Sequence, residues 1–130
     1  MFGKKFVVTS LRTAIDPTLH QREKEGIRIL DLQGPLKTGD SEASLRTAIV
    51  ALAESRAVKV VINFAGVTEI DADGLGSLAF CWTRMVHSGG TLKLLNLSPS
   101  LLSLMVRTRL DTVFEVFTDE QVAVNSFSRT

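Results

Sequence analysis

The feature that most constrains the fold of this chain is a regular alternation between strand-type and helix-type apolar patterns. Residues 27–32 alternate between apolar and polar side chains, which is typical of a half-buried strand. Residues 58–64 are β-branched and nearly all apolar, which indicates a central strand covered on both faces. Residues 91–96 and 113–117 are further strand-type runs. We expect the Gly-Pro pair at residues 34–35 to end the first of these strands.

Helix-type patterns follow these runs, with apolar residues at spacings of three and four that place them on one face of a helix. Capping residues predict where the helices begin. Asp40 or Ser41 can cap the first helix, and the Ser-Pro pair at residues 98–99 is a strong start for the third. Thr118, with a glutamine three residues later, forms a capping box for the last helix. The four apolar stripes lie within residues 45–53, 75–86, 101–105 and 122–127.

Alternation of strands and helices along one chain favours an α/β layer in which most strands pair in parallel. The length of 130 residues corresponds to about one domain. We therefore predict a flexible leader over residues 1–18 and a single domain over residues 19–130, with an additional strand near Leu19. The basic excess of the chain lies in its first 37 residues, and we interpret it as a solvated tail.

Reactive side chains are scarce in this sequence. It contains one cysteine and two histidines, which excludes an internal disulfide and a Cys-rich zinc site. The net charge of +1 gives no reason to expect a nucleic-acid-binding face. The apolar runs are far shorter than the ~20 residues that a helix needs to cross a bilayer. These features favour a non-enzymatic binding module in the cytoplasm, with no cofactor, no metal and no direct membrane insertion.

Common catalytic motifs are missing, and the isolated reactive residues have structural explanations. The sequence has no Walker A loop and no Gly-x-Ser-x-Gly elbow. Cys81 lies in a helical stripe, where we interpret it as a buried thiol that packs like a small apolar group. His87 ends the same helix, where the helix dipole favours a cation. Trp82 lies on the apolar stripe, and we assign it to the core.

The most informative segment is the turn at residues 71–76, which joins a strand-type run to a helix. Asp71 and Asp73 could hold a hard cation or cap the helix, and we favour capping. Gly74 and Gly76 allow another backbone, or an anion, to approach the turn closely. Loops at this position often bind ligands and partners in open α/β sheets.

The stretch at residues 60–78 resembles the signature of the STAS domain, named after sulphate transporters and anti-sigma factor antagonists. In that family an apolar strand and a short turn lead to Asp-Ser-Ser/Thr-Gly-Leu at a helix start. Residues 89–96, 98–99, 110–117 and 119–123 resemble later segments of the family in the same order. The resemblance covers about residues 25–128. It implies a single α/β domain with a central four- to five-stranded, mostly parallel mixed sheet and about four helices.

The resemblance also implies a regulatory function. In bacterial anti-anti-sigma proteins of this family, the unphosphorylated domain binds an anti-sigma factor with a kinase-type ATP-binding fold, and this binding frees a sigma factor. The kinase phosphorylates the serine directly after the motif aspartate, and the phosphate breaks the complex. The corresponding partner-binding surface of this chain comprises Thr38, Gly39, Asp40, Asp71, Ala72, Asp73, Gly74, Leu75, Ser77 and Leu78.

This sequence departs from the family pattern at the phosphorylated position, because the residue after the motif aspartate is Ala72, which has no hydroxyl. The usual phosphorylation switch therefore cannot operate there. Asp73 either supplies a permanent negative charge that imitates part of a phosphate, or caps the helix of a constitutive binder. We favour the constitutive binder, since one carboxylate carries about half the charge of a phosphate. Thr38, Ser41 and Ser77 are alternative acceptors, although surface or capping roles fit them better.

Other classes of function stay open at this point. STAS-like subunits also act as structural components of lipid-transport complexes at the inner membrane, and a stressosome-like scaffold is a related alternative. An enzymatic or nucleotide-binding function is the least favoured. The sequence leaves open whether the domain forms a homodimer and which sigma factor it serves.

Overall fold

The computed structural model of the chain describes residues 19–37 and 39–129, so the leader predicted for residues 1–18 lies outside it. Strands and helices alternate along this part of the chain as the sequence pattern predicts. The elements are β1 (Leu19–Lys24), β2 (Ile27–Leu36), α1 (Asp40–Glu54), β3 (Lys59–Ile70), α2 (Ala72–His87), β4 (Thr91–Leu95), α3 (Pro99–Arg107), β5 (Val116–Phe117) and α4 (Glu120–Ser126). Short 3-10 helices span Leu110–Thr112 and Phe127–Arg129.

The strands form one mixed sheet with the order β1-β2-β3-β4-β5. β1 runs antiparallel to β2, whereas β2, β3, β4 and β5 pair in parallel. The antiparallel pair is a tight hairpin in which Glu25 and Gly26 both have positive φ, 54° and 84°, a conformation that suits the twist of the flanking strands. The predicted α/β class, the strand near Leu19 and the five-stranded, mostly parallel sheet are confirmed.

Each face of the sheet is covered by helices. Leu30, Ile62 and Leu94 point to the main core, where α1, α2 and α3 pack, and all three are fully buried. Their neighbours in the sequence, among them Ile29 and Val61, point to the other face of the sheet. There α4 covers a smaller apolar cluster. Central strands buried on both faces explain why their sequences are almost continuously apolar.

Two strands are longer than the sequence predicts. β3 continues past residue 64 to Ile70, and β2 continues through Gly34 and Pro35 to Leu36, so the prediction that the Gly-Pro pair ends the strand is wrong. The two extensions pair with each other, with register shifts before and after Gly34, whose φ is 80°. A proline lacks the N–H for regular pairing, and an irregular stretch of a ladder is where it is tolerated.

Helix caps agree only in part with the sequence prediction. Ser98 caps α3 as predicted, because its Oγ accepts a hydrogen bond from the Leu101 N–H at 3.2 Å. α1 begins after Gly39, which occupies the cap position with φ 125°, so neither Asp40 nor Ser41 is its cap. At φ 125° a glycine is the residue that meets the least strain.

The last strand and the last helix also differ from the prediction. Asp119, and not Thr118, caps α4, since its Oδ1 accepts from the Val122 N–H at 2.9 Å. β5 contains only two residues of the strand predicted over residues 113–117. A 3-10 helix precedes that stretch, and the side chain of Phe114 is 4% exposed and packs into the main core. No helix within residues 19–37 and 39–129 is long and apolar enough to span a membrane.

Polar contacts hold α4 against the sheet at both of its ends. At its start, the Arg22 guanidinium donates to Glu120 Oε1 at 2.6 Å and to Asp31 Oδ2 at 2.6 Å, so it joins β1, β2 and α4. At its last residue, the buried Lys93 ammonium donates to Ser126 Oγ at 2.7 Å, and it lies 4.3 Å from the centroid of the Phe127 ring. A buried ammonium needs such partners because desolvation is costly.

The ion pairs of Arg22 shift the titration of both carboxylates. The hydrogen bond from Arg22 lowers the pKa of Glu120 to about 2. Burial alone would raise the pKa of Asp31, but hydrogen bonds from Arg22 and Asn63 outweigh it and leave the pKa below its ordinary value. Carboxylates with lowered pKa values stabilise the fold only while they are ionised.

Stability should therefore fall in acid as Glu120 takes up a proton. Its contribution is complete above its ordinary pKa of 4.5 and is lost as the pH falls towards about 2. Because the pair is partly exposed, we expect Glu120→Gln to lower the free energy of unfolding by about 1 kcal/mol at pH 7 and by less at pH 3. Urea unfolding at both pH values measures this difference.

Glu23→Gln is the matched control for this experiment, because Glu23 lies in β1 next to Arg22, is more exposed than Glu120 and approaches Arg28 only to 3.6 Å. We expect it to change the free energy of unfolding by a few tenths of a kcal/mol at most. Equal losses for the two variants at pH 7 would contradict the role assigned to Glu120.

Candidate functional site

The sheet brings the N-termini of α1 and α2 to the same edge. α1 follows β2 and α2 follows β3, and these strands are parallel neighbours whose last paired residues are Leu36 and Ile70. Gly39, the cap of α1, and Ala72, the first residue of α2, therefore lie at the starts of adjacent helices. The two segments predicted to form one surface do lie at the same edge. Thr38, which belongs to the predicted surface, lies outside the described residues.

Asp71 is the cap of α2. Its Oδ1 accepts a hydrogen bond from the Gly74 N–H at 2.8 Å, and its carbonyl oxygen accepts from the Leu75 N–H at 3.0 Å. Asp71 therefore caps the helix, as the sequence predicts. The part of the chain that is described contains no cluster of three or more potential metal ligands. Asp73 lies in the first turn of the helix, so the interpretation of Asp73 as the cap is wrong.

Gly74 is required by a close approach between α2 and the end of β2. The Asp71 N–H donates to the Leu36 carbonyl oxygen at 3.3 Å, which fastens the turn to the neighbouring strand. A Cβ atom on Gly74 would overlap that same carbonyl oxygen and would lie 2.7 Å from Ile70 Cγ1. Only glycine leaves room for the backbone of β2 at this position.

The residues predicted to bind a partner separate into an exposed and a buried group. Ala72 and Asp73 are exposed, and Leu75 is half-buried beside them. Ser77 and Leu78 are each 1% exposed, and Gly74 is also buried. The buried residues support the turn from beneath, and only the exposed ones are accessible from solvent.

Ser77 joins α2 to α1 instead of facing solvent. Its hydroxyl donates to Glu42 Oε2 at 2.6 Å, and the same carboxylate oxygen accepts from Arg46 at 3.1 Å. The hydrogen bond from Ser77 and then that from Arg46 lower the pKa of Glu42. The Arg46 guanidinium lies over the Phe80 ring, 4.5 Å from its centroid. The buried, engaged hydroxyl of Ser77 has neither the surface nor the capping role that the sequence suggested.

Glu42 and Arg46 were missed by the sequence analysis. Their spacing of four residues on a helix is visible in the sequence, but pairs of this kind are common on exposed helix faces. What singles out Glu42 is the serine on the neighbouring helix, 35 positions away, and only the packing of the two helices reveals that contact.

A small cleft opens beside the Asp71 turn, where the N-terminal ends of α2 and α3 diverge. Its walls are almost entirely apolar. Ile70 and Leu75, which flank the turn, form one rim, and Leu97 at the start of α3 forms the other. The lining residues, which define the α2–α3 cleft, are Phe64, Ile70, Leu75, Leu78, Leu97, Leu101 and Met105.

Comparison with known proteins identifies the family. The family model of the STAS domain matches residues 18–123. The chain belongs to the STAS domain family. A search of curated protein sequences finds no significant match.

Solved structures with this STAS fold include proteins of different kinds. An anti-sigma factor antagonist from Mycobacterium paratuberculosis superposes with a TM-score of 0.71 and 20% identity, over 84% of this chain and 92% of that chain. The Bacillus cell fate determinant SpoIIAA in its phosphorylated form gives 0.68 and 19%, over 85% and 99%. The murine anion transporter Slc26a9 gives 0.75 and 15%, over 97% of this chain and 24% of the transporter. At these identities the likeness shows the fold alone.

The other candidate reactive groups of this STAS domain are placed as the sequence predicts. Cys81 is fully buried, and burial raises the pKa of its thiol to about 12, so it remains protonated at neutral pH. His87 is the last residue of α2 and is exposed. Trp82 is partly buried against the main core.

The two glycines of the turn allow a direct test of the close approach. Gly74→Ala should lower the free energy of unfolding by about 2–3 kcal/mol, because the new methyl group collides with the Leu36 carbonyl. Gly76→Ala is the matched control, since a Cβ there meets nothing within 4 Å. Alanine has the higher helix propensity, so this variant should be unchanged or up to about 1 kcal/mol more stable. Equal losses in urea unfolding would contradict the assignment.

Proposed function

We propose that this STAS domain is an anti-sigma factor antagonist-like regulator in the bacterial cytoplasm. It binds a kinase-type anti-sigma factor through the exposed start of α2, comprising Ala72, Asp73 and Leu75, together with the neighbouring start of α1 at Gly39 and Asp40. Thr38 and Asp71 are the remaining residues of the proposed contact. By occupying the anti-sigma factor, the domain controls how much sigma factor is available.

The observation that carries this proposal is the position of Ala72. It is the first residue of α2, directly after the capping Asp71, and it is exposed at the edge where the two helices begin. SpoIIAA, an anti-sigma factor antagonist of the same fold, exists in unphosphorylated and phosphorylated forms. The resemblance of the turn to the family signature aligns its phosphorylated serine with Ala72, where this chain offers a methyl group.

The charge at the turn fits a domain that binds constitutively. A phosphate at the position of Ala72 would bring about two negative charges beside Asp71 and Asp73, into a surface that a partner must cover. Without a hydroxyl that charge cannot be added. Asp73 supplies a single charge in the first turn of α2, where the helix dipole stabilises it. We therefore regard Asp73 as a helix-stabilising residue and not as a substitute for phosphate.

A surface of this kind acts by contact and not by catalysis. The cysteine is buried and protonated, and Ser77, the hydroxyl nearest to Ala72 along α2, is buried and bonded to Glu42. We propose that the domain has no enzymatic activity and needs no cofactor. Its affinity would come from the exposed residues and from the rigid support that Gly74 and Ser77 give them.

The direct test is calorimetric titration of the full chain with the ATP-binding anti-sigma factors of the same cell. We expect at least one of them to bind, and Ala72→Glu to weaken that complex at least ten-fold, because a charge then lies in the contact. Ala51→Glu is the matched control, since Ala51 is also exposed but lies near the other end of α1. If the chain binds none of the anti-sigma factors, the proposal is refuted. Co-purification with a permease, or a very large particle, would instead favour a lipid-transport or stressosome-like assembly.

A second test restores the missing hydroxyl. Incubation of Ala72→Ser with the bound kinase and ATP should label the protein once, at the introduced side chain, and should release it from the complex. The parent chain should stay unlabelled under the same conditions. Phosphate on the parent, at any other residue, would show that the switch has moved and is not lost.

A further inference from the structure

We propose that residues 4–8 of this chain dock on the α2–α3 cleft and the adjoining Asp71 turn, and so cover the surface that a partner would use. The docking itself is a property of this chain alone. Its consequence, competition between the N-terminal segment and a protein partner, rests on the proposed function.

The cleft is the apolar part of the edge at which the partner surface lies. Phe64 and Leu101 form its floor and are 2% and 5% exposed, whereas Ile70, Leu75 and Leu97 on its rim are only half-buried. Its size suits the tip of one large apolar side chain. Covering such a rim removes apolar surface from water, which favours an occupant with an aromatic or aliphatic residue.

The topology places the start of β1, and so the end of the N-terminal segment, at the edge of the sheet where the cleft lies. β1 runs antiparallel to β2, and its first residue, Leu19, pairs with Leu32. The chain therefore enters β1 from the edge at which β2 and β3 end and α1 and α2 begin. With strands about 4.8 Å apart, the cleft is on the order of 20 Å from Leu19. Residues 9–18 can span about 30 Å when extended, so residues 4–8 can reach the cleft.

The charges of the segment and the edge are complementary. Lys4 and Lys5 directly precede three apolar residues, Phe6, Val7 and Val8. The turn beside the cleft presents Asp71 and Asp73.

We assign Phe6 to the cleft and the two lysines to the aspartates of the turn. The segment is tethered to the domain that it covers, so its effective concentration is in the millimolar range. Even a weak contact of this size can then occupy the cleft most of the time. A folded partner must displace it, which would make the segment a built-in competitor.

Paramagnetic relaxation in the full chain tests the proposal without any partner protein. A nitroxide is attached to Thr9→Cys, and the buried, protonated Cys81 does not react with the reagent. Methyl signals of Leu75, Leu97 and Leu101 should lose at least half of their intensity. Val122, which is exposed on α4 at the opposite face of the sheet, should keep its signal. Unchanged cleft signals, or losses centred on another face, would overturn the proposal.

Substitutions separate the two parts of the contact. Phe6→Ser should restore the cleft signals at least two-fold. The double change Lys4→Glu with Lys5→Glu should independently do the same. Asp73→Lys, which reverses the charge on the turn instead of on the segment, should also restore the cleft signals at least two-fold. Asp111→Lys is the matched control, because it makes the same charge change on the exposed 3-10 helix after α3 and should restore nothing.

A mixing experiment decides which molecule supplies the segment. Nitroxide-tagged chains without isotope label are mixed with isotope-labelled chains that carry no tag. Signal loss at the cleft in this mixture would show that a second copy is the occupant, and the intramolecular proposal would be wrong. Because no anti-sigma factor takes part, failure here leaves the proposed function standing, and failure to bind an anti-sigma factor leaves the docking measurement valid.

Discussion

The contact on which the site depends is the close approach between the first turn of α2 and the last residue of β2. The Leu36 carbonyl oxygen accepts the Asp71 N–H, and Gly74 lies against the same oxygen. This contact sets the distance between two helix starts that are separated by a strand and a helix in the sequence. The Ser77–Glu42 hydrogen bond fixes the same two helices one turn further on. Exposed residues at such a junction are presented on a rigid base, which limits the entropy lost when a partner binds.

The sequence predicts those features that are encoded locally. Strand-type runs, helical stripes, the Ser98 cap and the capping role of Asp71 all follow from neighbouring residues, and all are present. The extension of β2 through Pro35 could not be predicted, because it depends on a pairing with β3 about 30 positions away. The Ser77–Glu42 contact was missed for the same reason: it exists only once two helices pack. The turn could be located from its motif, but which of its residues are exposed is decided by tertiary structure.

The two faces of the sheet differ in the size of their apolar clusters and in whether they contain a buried charge. The face that carries α1, α2 and α3 is a large apolar core, and its helices leave the sheet at the edge that forms the site. The face under α4 has a smaller apolar cluster and includes the buried Lys93. Replacing a paired, buried charge by an apolar group is often neutral for stability, so such a charge is better suited to fixing position. The ammonium contacts Ser126, the Phe127 ring and Glu115, and these contacts help to fix the end of α4 on the sheet.

The Arg22–Glu120 pair connects residues that are 98 positions apart, and it has a consequence for the order in which the chain folds. Closing so long a loop costs entropy that only an already assembled sheet can offset. The last helix would thus dock on a sheet whose strands, including the locally paired β1, are already assembled. It would also be the first part to leave, as a unit that opens before the rest of the domain unfolds. The amide protons of α4 would then exchange with solvent at a lower free energy than those of β3.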